Sequence, residues 1–179
     1  MTLELRSRSL TDTHAIASAI AGLARSGDII VLSGEMGAGK TAFAQGFGRA
    51  LGIEEPITSP TFTLVHSYDI TSGPNAGKLT LHHADLYRLD RTTEVADLAL
   101  GELAEFRGVV LVEWGDVAES MFGDHLVVHL EPDHEALDEQ DDDALLGLDG
   151  SRLIEVAGVG PSWAGRWDRL ADALGAFRC

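Results

Sequence analysis

The sequence has very little cysteine and no long apolar run. Cys179 is its single cysteine among 179 residues, which excludes an intramolecular disulfide and argues against a zinc cage or a buried thiol nucleophile. No apolar run approaches the roughly 20 residues that a membrane helix requires. The first ten residues include Glu4, Arg6 and Arg8, so they lack the apolar core of a signal peptide. We therefore expect a cytoplasmic protein with no membrane partner.

Positive charge is also scarce. The chain has 13 Lys and Arg against 29 Asp and Glu, a formal net charge of -16. Such a charge repels a phosphate backbone, so the composition argues against autonomous binding of nucleic acid. Eight of the acidic residues lie between positions 131 and 143. We interpret residues 132–150 as a mobile acidic connector.

The first half of the chain alternates between strand and helix patterns. After a predicted opening strand, apolar spacing predicts a helix that is capped by Thr11 or Asp12 and ends at Ser26–Gly27. The β-branched run at 28–33 predicts a strand buried on both faces. An apolar stripe over 41–51 predicts a second helix, with a glycine-rich turn before it. This half is typical of an α/β fold.

The second half predicts a mixed sheet within a single domain that spans residues 1–179. Runs at 61–70 and 78–85, separated by turn residues, predict an antiparallel hairpin. The other predicted elements are a helix over 94–106 with Phe106 on its apolar face, strands over 109–113, 125–131 and 152–159, and a C-terminal helix over 161–175.

Residues 34–41, Gly-Glu-Met-Gly-Ala-Gly-Lys-Thr, fit the phosphate-binding pattern G-x-x-x-x-G-K-[ST] between a strand and a helix. The glycines let backbone N–H groups surround a β-phosphate, close to the positive end of the helix. Lys40 adds a positive charge, and the Thr41 hydroxyl can ligate Mg2+. We therefore predict ATP and Mg2+ as cofactors, with nucleotide-binding residues Glu35, Met36, Gly37, Ala38, Gly39, Lys40 and Thr41.

ATP is preferred to GTP because the guanine-reading motif [NT]-K-x-D is impossible here. The only lysines, Lys40 and Lys78, both follow a glycine.

Two predicted strands end in an acidic residue. Glu113 follows Val109-Val-Leu-Val, the form expected of a Walker B strand, and Asp85 ends an earlier strand. Sites of this class need an acid to hold the metal and a group to orient the attacking water. The sequence does not assign these two roles. The candidate catalytic residues are therefore Lys40, Asp85 and Glu113, and the candidate metal ligands are Thr41, Asp85 and Glu113.

His82 and His83 superficially suggest a metal pair. Because neighbours on a strand face opposite sides, we expect hydrogen-bonded structural histidines instead.

Four segments occur together and in order, namely 34–41, 59–65 (Ser-Pro-Thr-Phe-Thr-Leu-Val), 83–89 (His-Ala-Asp-Leu-Tyr-Arg-Leu) and 111–114 (Leu-Val-Glu-Trp). Over roughly residues 3–130 the chain thereby resembles the TsaE family. That family is the bacterial ATPase subunit of the machinery that makes N6-threonylcarbamoyladenosine at adenosine 37 of tRNA.

The resemblance implies a small P-loop NTPase-like three-layer fold, whose mixed sheet contains an inserted antiparallel hairpin. It also implies a first switch at 59–65, in which Thr61 approaches the γ-phosphate. Asp85 would belong to a second switch, and Trp114 would neighbour the nucleotide.

The leading hypothesis is a Mg2+-dependent ATPase that acts with TsaD and TsaB subunits and reaches tRNA only through them. A small-molecule P-loop kinase is an alternative, although no arginine-rich lid is recognisable. A nucleotide-dependent binding module with little hydrolysis is another.

Overall fold

A seven-stranded mixed sheet organises the computed structural model, which describes residues 1–60, 64–87, 96, 98–133 and 151–179. The spatial order of the strands is β1-β7-β6-β2-β5-β4-β3. The four strands β6, β2, β5 and β4 run parallel to one another, whereas the β1–β7, β7–β6 and β3–β4 pairs are antiparallel. The strands are β1 Thr2–Ser7, β2 Ile29–Ser33, β3 Val65–Asp69, β4 Thr80–Asp85, β5 Gly108–Glu113, β6 His125–Pro132 and β7 Arg152–Val159.

Helices cover both faces of this sheet. Alternate residues of β2 point into different cores, since Ile30 and Leu32 belong to the apolar cluster under the first two helices, whereas Val31 belongs to the cluster on the opposite face. The α/β class, the layered arrangement and the β3–β4 hairpin are therefore as predicted. The helices are α1 Leu10–Ala21, α2 Lys40–Leu51, α3 Leu100–Glu105 and α4 Trp167–Ala173, with 3-10 turns at Gly115–Met121, Ala164–Arg166 and Gly175–Phe177.

Helix α1 begins and ends earlier than predicted. Its N-cap is Ser9, whose side chain accepts a hydrogen bond from the Asp12 N–H at 3.1 Å, while the Asp12 carboxylate accepts one from the Arg8 N–H at 2.8 Å. The predicted caps Thr11 and Asp12 are therefore wrong, because this reciprocal pair fixes the helix start at Leu10. The helix ends at Ala21 and not at Ser26–Gly27, because the following N–H groups of residues 23 and 24 bond to carbonyls three residues back.

Helix α3 has other bounds than the predicted 94–106, and Phe106 does not lie on its buried face. Phe106 is 85% exposed, whereas Leu100 and Ala104 are buried against the sheet. Ala99 precedes the helix in the left-handed conformation, with φ +49°. Phe106 is the C-cap residue, with φ -88° and ψ +64°, so it no longer follows the helical periodicity. Leu98 and Leu103 pack against the apolar cluster on this face of the sheet, as predicted. Residues 94, 95 and 97 lie outside the described residues.

The C-terminal segment is a short helix between tight turns. Within the predicted range 161–175, only Trp167–Ala173 is α-helical, and Trp163 and Leu170 are buried in the core. Arg166 anchors the segment, because its guanidinium donates to both carboxylate oxygens of Asp28, at 2.7 and 2.5 Å. This buried ion pair joins the end of the chain to the start of the central strand β2.

The predicted acidic connector lies almost entirely outside the described residues, which exclude 134–150. Its first two residues belong to the fold, since Pro132 ends β6 and the buried Asp133 pairs with Arg6 at 2.8 Å. Strands β6 and β7, on either side of it, pair antiparallel with Pro132 opposite Arg152. In the described part of the chain, no helix has the length and apolar character needed to cross a bilayer.

Candidate functional site

The glycine-rich loop between β2 and α2 adopts backbone conformations that favour glycine. Gly34, Gly37 and Gly39 have φ values of +130°, +80° and +106°, a region that side chains disfavour. At Gly34 a Cβ would also lie 2.0 Å from the carbonyl oxygen of Leu130 in β6. Helix α2 begins directly after Gly39, so the unpaired N–H groups of its first turn face this loop. The loop is therefore built to receive an anion.

Lys40, the first residue of α2, folds back over this loop. Its Nζ donates to the carbonyl oxygens of Gly34 and Glu35, both at 2.8 Å, and lies 3.6 Å from the centroid of the Trp114 ring. Only 4% of the residue is exposed. Burial lowers the pKa of Lys40, while the carboxylates of Glu113, Asp116 and Asp85 act to raise it. The ammonium is thus held beside the loop in a group of acidic residues.

Glu113 ends β5 and is held from two sides. The Thr41 hydroxyl donates to its Oε2 at 3.1 Å and also lies 3.2 Å from Oε1. On the other side, the buried His83 of β4 places Nε2 at 2.9 Å from Oε1. Because an ionised carboxylate only accepts, this contact assigns a proton to Nε2 of the imidazole. These contacts fix one orientation of the Glu113 side chain.

Asp85 ends β4 directly opposite Glu113 in the parallel β4–β5 register. The Ser59 hydroxyl donates to its Oδ2 in a short contact, and the N–H of Tyr87 donates to Oδ1 at 3.0 Å. Both carboxylate oxygens are therefore engaged, one by the segment that precedes β3 and the other by the turn that follows β4. Because parallel strands end at the same edge of a sheet, both acids lie beside the glycine-rich loop.

Trp114 and Tyr87 form an aromatic side of the site. Their ring centroids lie 4.9 Å apart with planes inclined by 50°. Trp114 has φ +59°, which is uncommon for a residue with a side chain. This turn at the end of β5 brings the indole over Lys40.

A pocket of about 320 Å3 collects most of the predicted site residues. Glu35 is exposed and Ala38 is buried in the core, and neither lines this pocket. Thr61 lies outside the described residues. The predicted residues that line it are Met36, Gly37, Gly39, Lys40, Thr41, Asp85, Glu113 and Trp114.

The oxygens in this pocket suit Mg2+. Its usual protein ligands are one or two carboxylates, with the remaining positions filled by water and substrate phosphates. The Thr41 hydroxyl and the carboxylates of Asp85 and Glu113 provide such oxygens at the pocket wall. Among the residues described, no group of three or more His, Cys, Asp and Glu side chains is placed to hold a metal. His82 and His83 are each hydrogen-bonded, as predicted, with Nδ1 of His82 at 2.8 Å from the Ser67 hydroxyl and Nε2 of His83 at 2.9 Å from Glu113.

Four residues that the sequence reasoning left out of the site support it. Ser59, His83 and Tyr87 lie inside the segments that carried the family resemblance, so that resemblance was their available signal. Arg152 gave no local signal, because it bonds to loop residues that are 114 and 115 positions earlier in the chain.

The layered mixed sheet, with a glycine-rich loop leading from its central strand into a helix, defines an α/β protein of the P-loop NTPase-like class. The crystal structure of YdiB from Bacillus subtilis matches this fold with a TM-score of 0.67 and 30% sequence identity, covering 98% of this chain and 95% of that one.

Sequence comparisons identify the family. The model for the threonylcarbamoyl adenosine biosynthesis protein TsaE matches residues 7–141. TsaE of Bacillus subtilis is 42% identical over 117 residues, covering 65% of this chain and 69% of that protein. TsaE of Treponema pallidum is 39% identical over 121 residues, covering 68% and 84% respectively. For TsaE of Streptomyces coelicolor the identity is 35% over 150 residues, covering 81% and 89%. The chain belongs to the TsaE family of tRNA threonylcarbamoyladenosine biosynthesis proteins, which confirms the resemblance found in the four segments.

Proposed function

We propose that this protein is a Mg2+-dependent ATPase that supports threonylcarbamoylation of adenosine 37 in tRNA by coupling ATP binding and hydrolysis to turnover of a TsaD–TsaB complex. The main observation in its favour is the convergence of Lys40, Thr41, Asp85 and Glu113 on one pocket beside the glycine-rich loop. These residues come from α2 and from the ends of two adjacent parallel strands.

In this proposal the loop and Lys40 bind the phosphates. Backbone N–H groups of the loop and of the first turn of α2 donate to phosphate oxygens. Lys40 neutralises negative charge on the β- and γ-phosphates, for which its Nζ exchanges the carbonyls of Gly34 and Glu35 for phosphate oxygens. The buried position of the ammonium strengthens this interaction, because nearby water is limited.

The acids and Thr41 complete the site. Mg2+, when bound, would supply positive charge that offsets the negative charge of the phosphates, and Thr41, Asp85 and Glu113 would be its protein ligands. One of the two acids orients the attacking water. Trp114 closes the pocket on one side. The proposal also assigns a γ-phosphate contact to Thr61 of the first switch, a residue outside the described part of the chain.

The surface of the protein suits a protein partner better than bare tRNA. The formal net charge of -16 disfavours direct contact with a phosphate backbone. At the pocket, Met36 is 70% exposed and Tyr87 is 53% exposed. Their apolar surfaces offer a contact through which TsaD and TsaB subunits in the cytoplasm would respond to the bound nucleotide.

The direct test measures Mg2+-dependent phosphate release from ATP by the purified protein, together with ADP binding. We expect Asp85→Asn and Glu113→Gln each to reduce turnover by about 100-fold, a typical cost of losing one group that stabilises the transition state. The variant that removes the main metal ligand should also need more Mg2+. Normal turnover by both folded variants would contradict the site assignment.

The same assay separates the alternatives. A phosphorylated small molecule in place of free phosphate would identify a kinase. Partner binding that follows nucleotide exchange without phosphate release would identify a binding module.

A further inference from the structure

Arg152, the first residue of β7, reaches the outer side of the glycine-rich loop. Its Nε donates to the carbonyl oxygen of Ala38 at 2.9 Å, and its Nη2 lies 3.5 Å from the carbonyl oxygen of Gly37. The third nitrogen, Nη1, donates to the carbonyl oxygen of Ser151 at 2.6 Å. The guanidinium is thus held by the backbone of its own strand at Ser151 and contacts the carbonyls of two consecutive loop residues.

A hydrogen bond from Arg152 to a loop carbonyl also orients the N–H of the same peptide unit, which points towards the pocket. The C=O and the N–H of a trans peptide unit point in opposite directions. The unit that presents the Ala38 carbonyl to Arg152 therefore directs the Gly39 N–H away from it, and Gly39 lines the pocket. A charged donor on the carbonyl also polarises the peptide, which makes that N–H a stronger donor to an anion.

The position of Arg152 is set by the sheet. Arg152 pairs with Pro132 across the β6–β7 ladder, and the carbonyl oxygen of Leu130 in β6 is the atom that a Cβ at Gly34 would strike. The adjacent ends of β6 and β7 therefore form a platform beneath the loop. The loop is fixed to this platform by close packing at Gly34 and by charge-assisted hydrogen bonds from Arg152.

Arg152 differs from Lys40, which also bonds to loop carbonyls. In the proposed function, Lys40 transfers its hydrogen bonds to phosphate, so its contacts with Gly34 and Glu35 compete with the nucleotide. Arg152 does not line the pocket, and its bonds lie on the opposite side of the loop. Its contacts can therefore persist while nucleotide is bound.

We propose that Arg152 is a positioning residue that holds the glycine-rich loop in its phosphate-binding conformation, an inference that rests on the proposed function. Arg152 lies outside the range that the TsaE family model matches, which ends at residue 141.

The test compares Arg152→Gln, Arg152→Lys and the wild-type chain. Arg169→Gln is the matched control, because it removes the same charge from an exposed position on α4. ADP affinity is measured by calorimetry, kcat and KM by phosphate release, and exchange of the loop amides 34–39 by hydrogen–deuterium exchange without nucleotide. Unfolding temperature checks that each variant folds.

We expect Arg152→Gln to weaken ADP binding by about tenfold, within the range that outer-shell contacts contribute at metal sites. KM should rise more than kcat falls, and the loop amides should exchange faster. Arg152→Lys should recover only part of the affinity, because lysine keeps the charge but lacks the planar set of donors. Arg169→Gln should stay within about twofold of wild type, as expected for an exposed charge.

ADP affinity of Arg152→Gln within about twofold of wild type, the range of an exposed charge, would overturn the proposal. Full recovery by Arg152→Lys would also overturn it, because charge alone would then suffice. Failure of the proposed function appears differently, as absence of ADP binding by the wild-type chain. In that case, hydrogen–deuterium exchange of the loop amides decides whether Arg152 positions the loop. An unchanged exchange rate in Arg152→Gln refutes that role, and a faster rate supports it.

Discussion

The imidazole of His83 and the carboxylate of Glu113 form a buried contact, with Nε2 at 2.9 Å from Oε1. The Thr41 hydroxyl reaches the same carboxylate from α2. His83 lies on β4 and Glu113 at the end of β5, so the parallel pairing of these strands brings the two side chains together. Within the described residues, Nδ1 of His83 has no hydrogen-bond partner. The contact with Glu113 is therefore the one side-chain hydrogen bond that the His83 ring makes within the described residues.

His83→Leu should reduce kcat for phosphate release by about tenfold or more, in line with the loss of other contacts that orient a functional carboxylate. ADP affinity should change little, because His83 does not line the pocket. His83→Gln can still place an N–H near the carboxylate and should retain more activity. Steady-state kinetics and ADP titration measure the two effects, and an unchanged kcat in a folded His83→Leu protein would contradict the assignment.

Lys40→Ala should lower phosphate release at saturating ATP by about 100-fold, because no other lysine can neutralise the phosphate charge in this pocket. The chain provides a matched control in Lys78→Ala, which removes the only other lysine. Lys78 is exposed in the turn between β3 and β4 and donates to the carbonyl oxygen of Pro74. Lys78→Ala should keep wild-type turnover. Similar rates in the Lys40 variant and the control would argue against phosphate binding by this loop.

His82 should make the folded state sensitive to mild acid. Burial lowers the pKa of this histidine below its ordinary value near 6.5. Above that value His82 is neutral in both states, and its contribution to stability is fully present. As the pH falls through 6.5 towards the lower folded-state pKa, the unfolded chain takes up a proton more readily, so this contribution is lost.

Denaturant unfolding of wild type and His82→Gln at about pH 7.5 and 5.5 measures this contribution. The free energy of unfolding should fall less on acidification in His82→Gln than in wild type. His66→Gln, at an exposed position of the adjacent strand β3, serves as the control. An identical acid-induced loss in wild type and His82→Gln would refute the role of His82.

The isolated protein should hydrolyse ATP slowly, and purified TsaD and TsaB together should increase phosphate release severalfold. A partner that packs on the proposed switches can hold Asp85 and Glu113 in the geometry that hydrolysis needs. The isolated protein must lose conformational entropy to reach that geometry at each turnover. Bare tRNA should not stimulate, because the protein is strongly acidic. Deletion of residues 138–143 should leave the stimulation largely intact. Equal rates with and without the two subunits would refute the coupling, and strong stimulation by tRNA alone would refute the charge argument.

The sequence by itself determined the strand, loop and helix around the glycine-rich motif. A buried β-branched run, glycines with positive φ and an apolar helical stripe are local properties, and they form β2, the loop and α2 as predicted. The acids that end β4 and β5 were also visible in sequence, because Glu113 directly follows an apolar run and Asp85 ends a predicted strand. Local patterns therefore predicted most of the residues that line the pocket.

Tertiary structure decided which distant groups support the site and where some elements begin. Arg152 reaches the loop from β7, and His83 reaches Glu113 across the β4–β5 pairing, contacts that depend on strand order and register. Likewise, α3 ends at Glu105, which leaves Phe106 outside the helix and exposed. Local periodicity carries no information about which strands become neighbours, because that choice depends on packing the whole sheet between its helices.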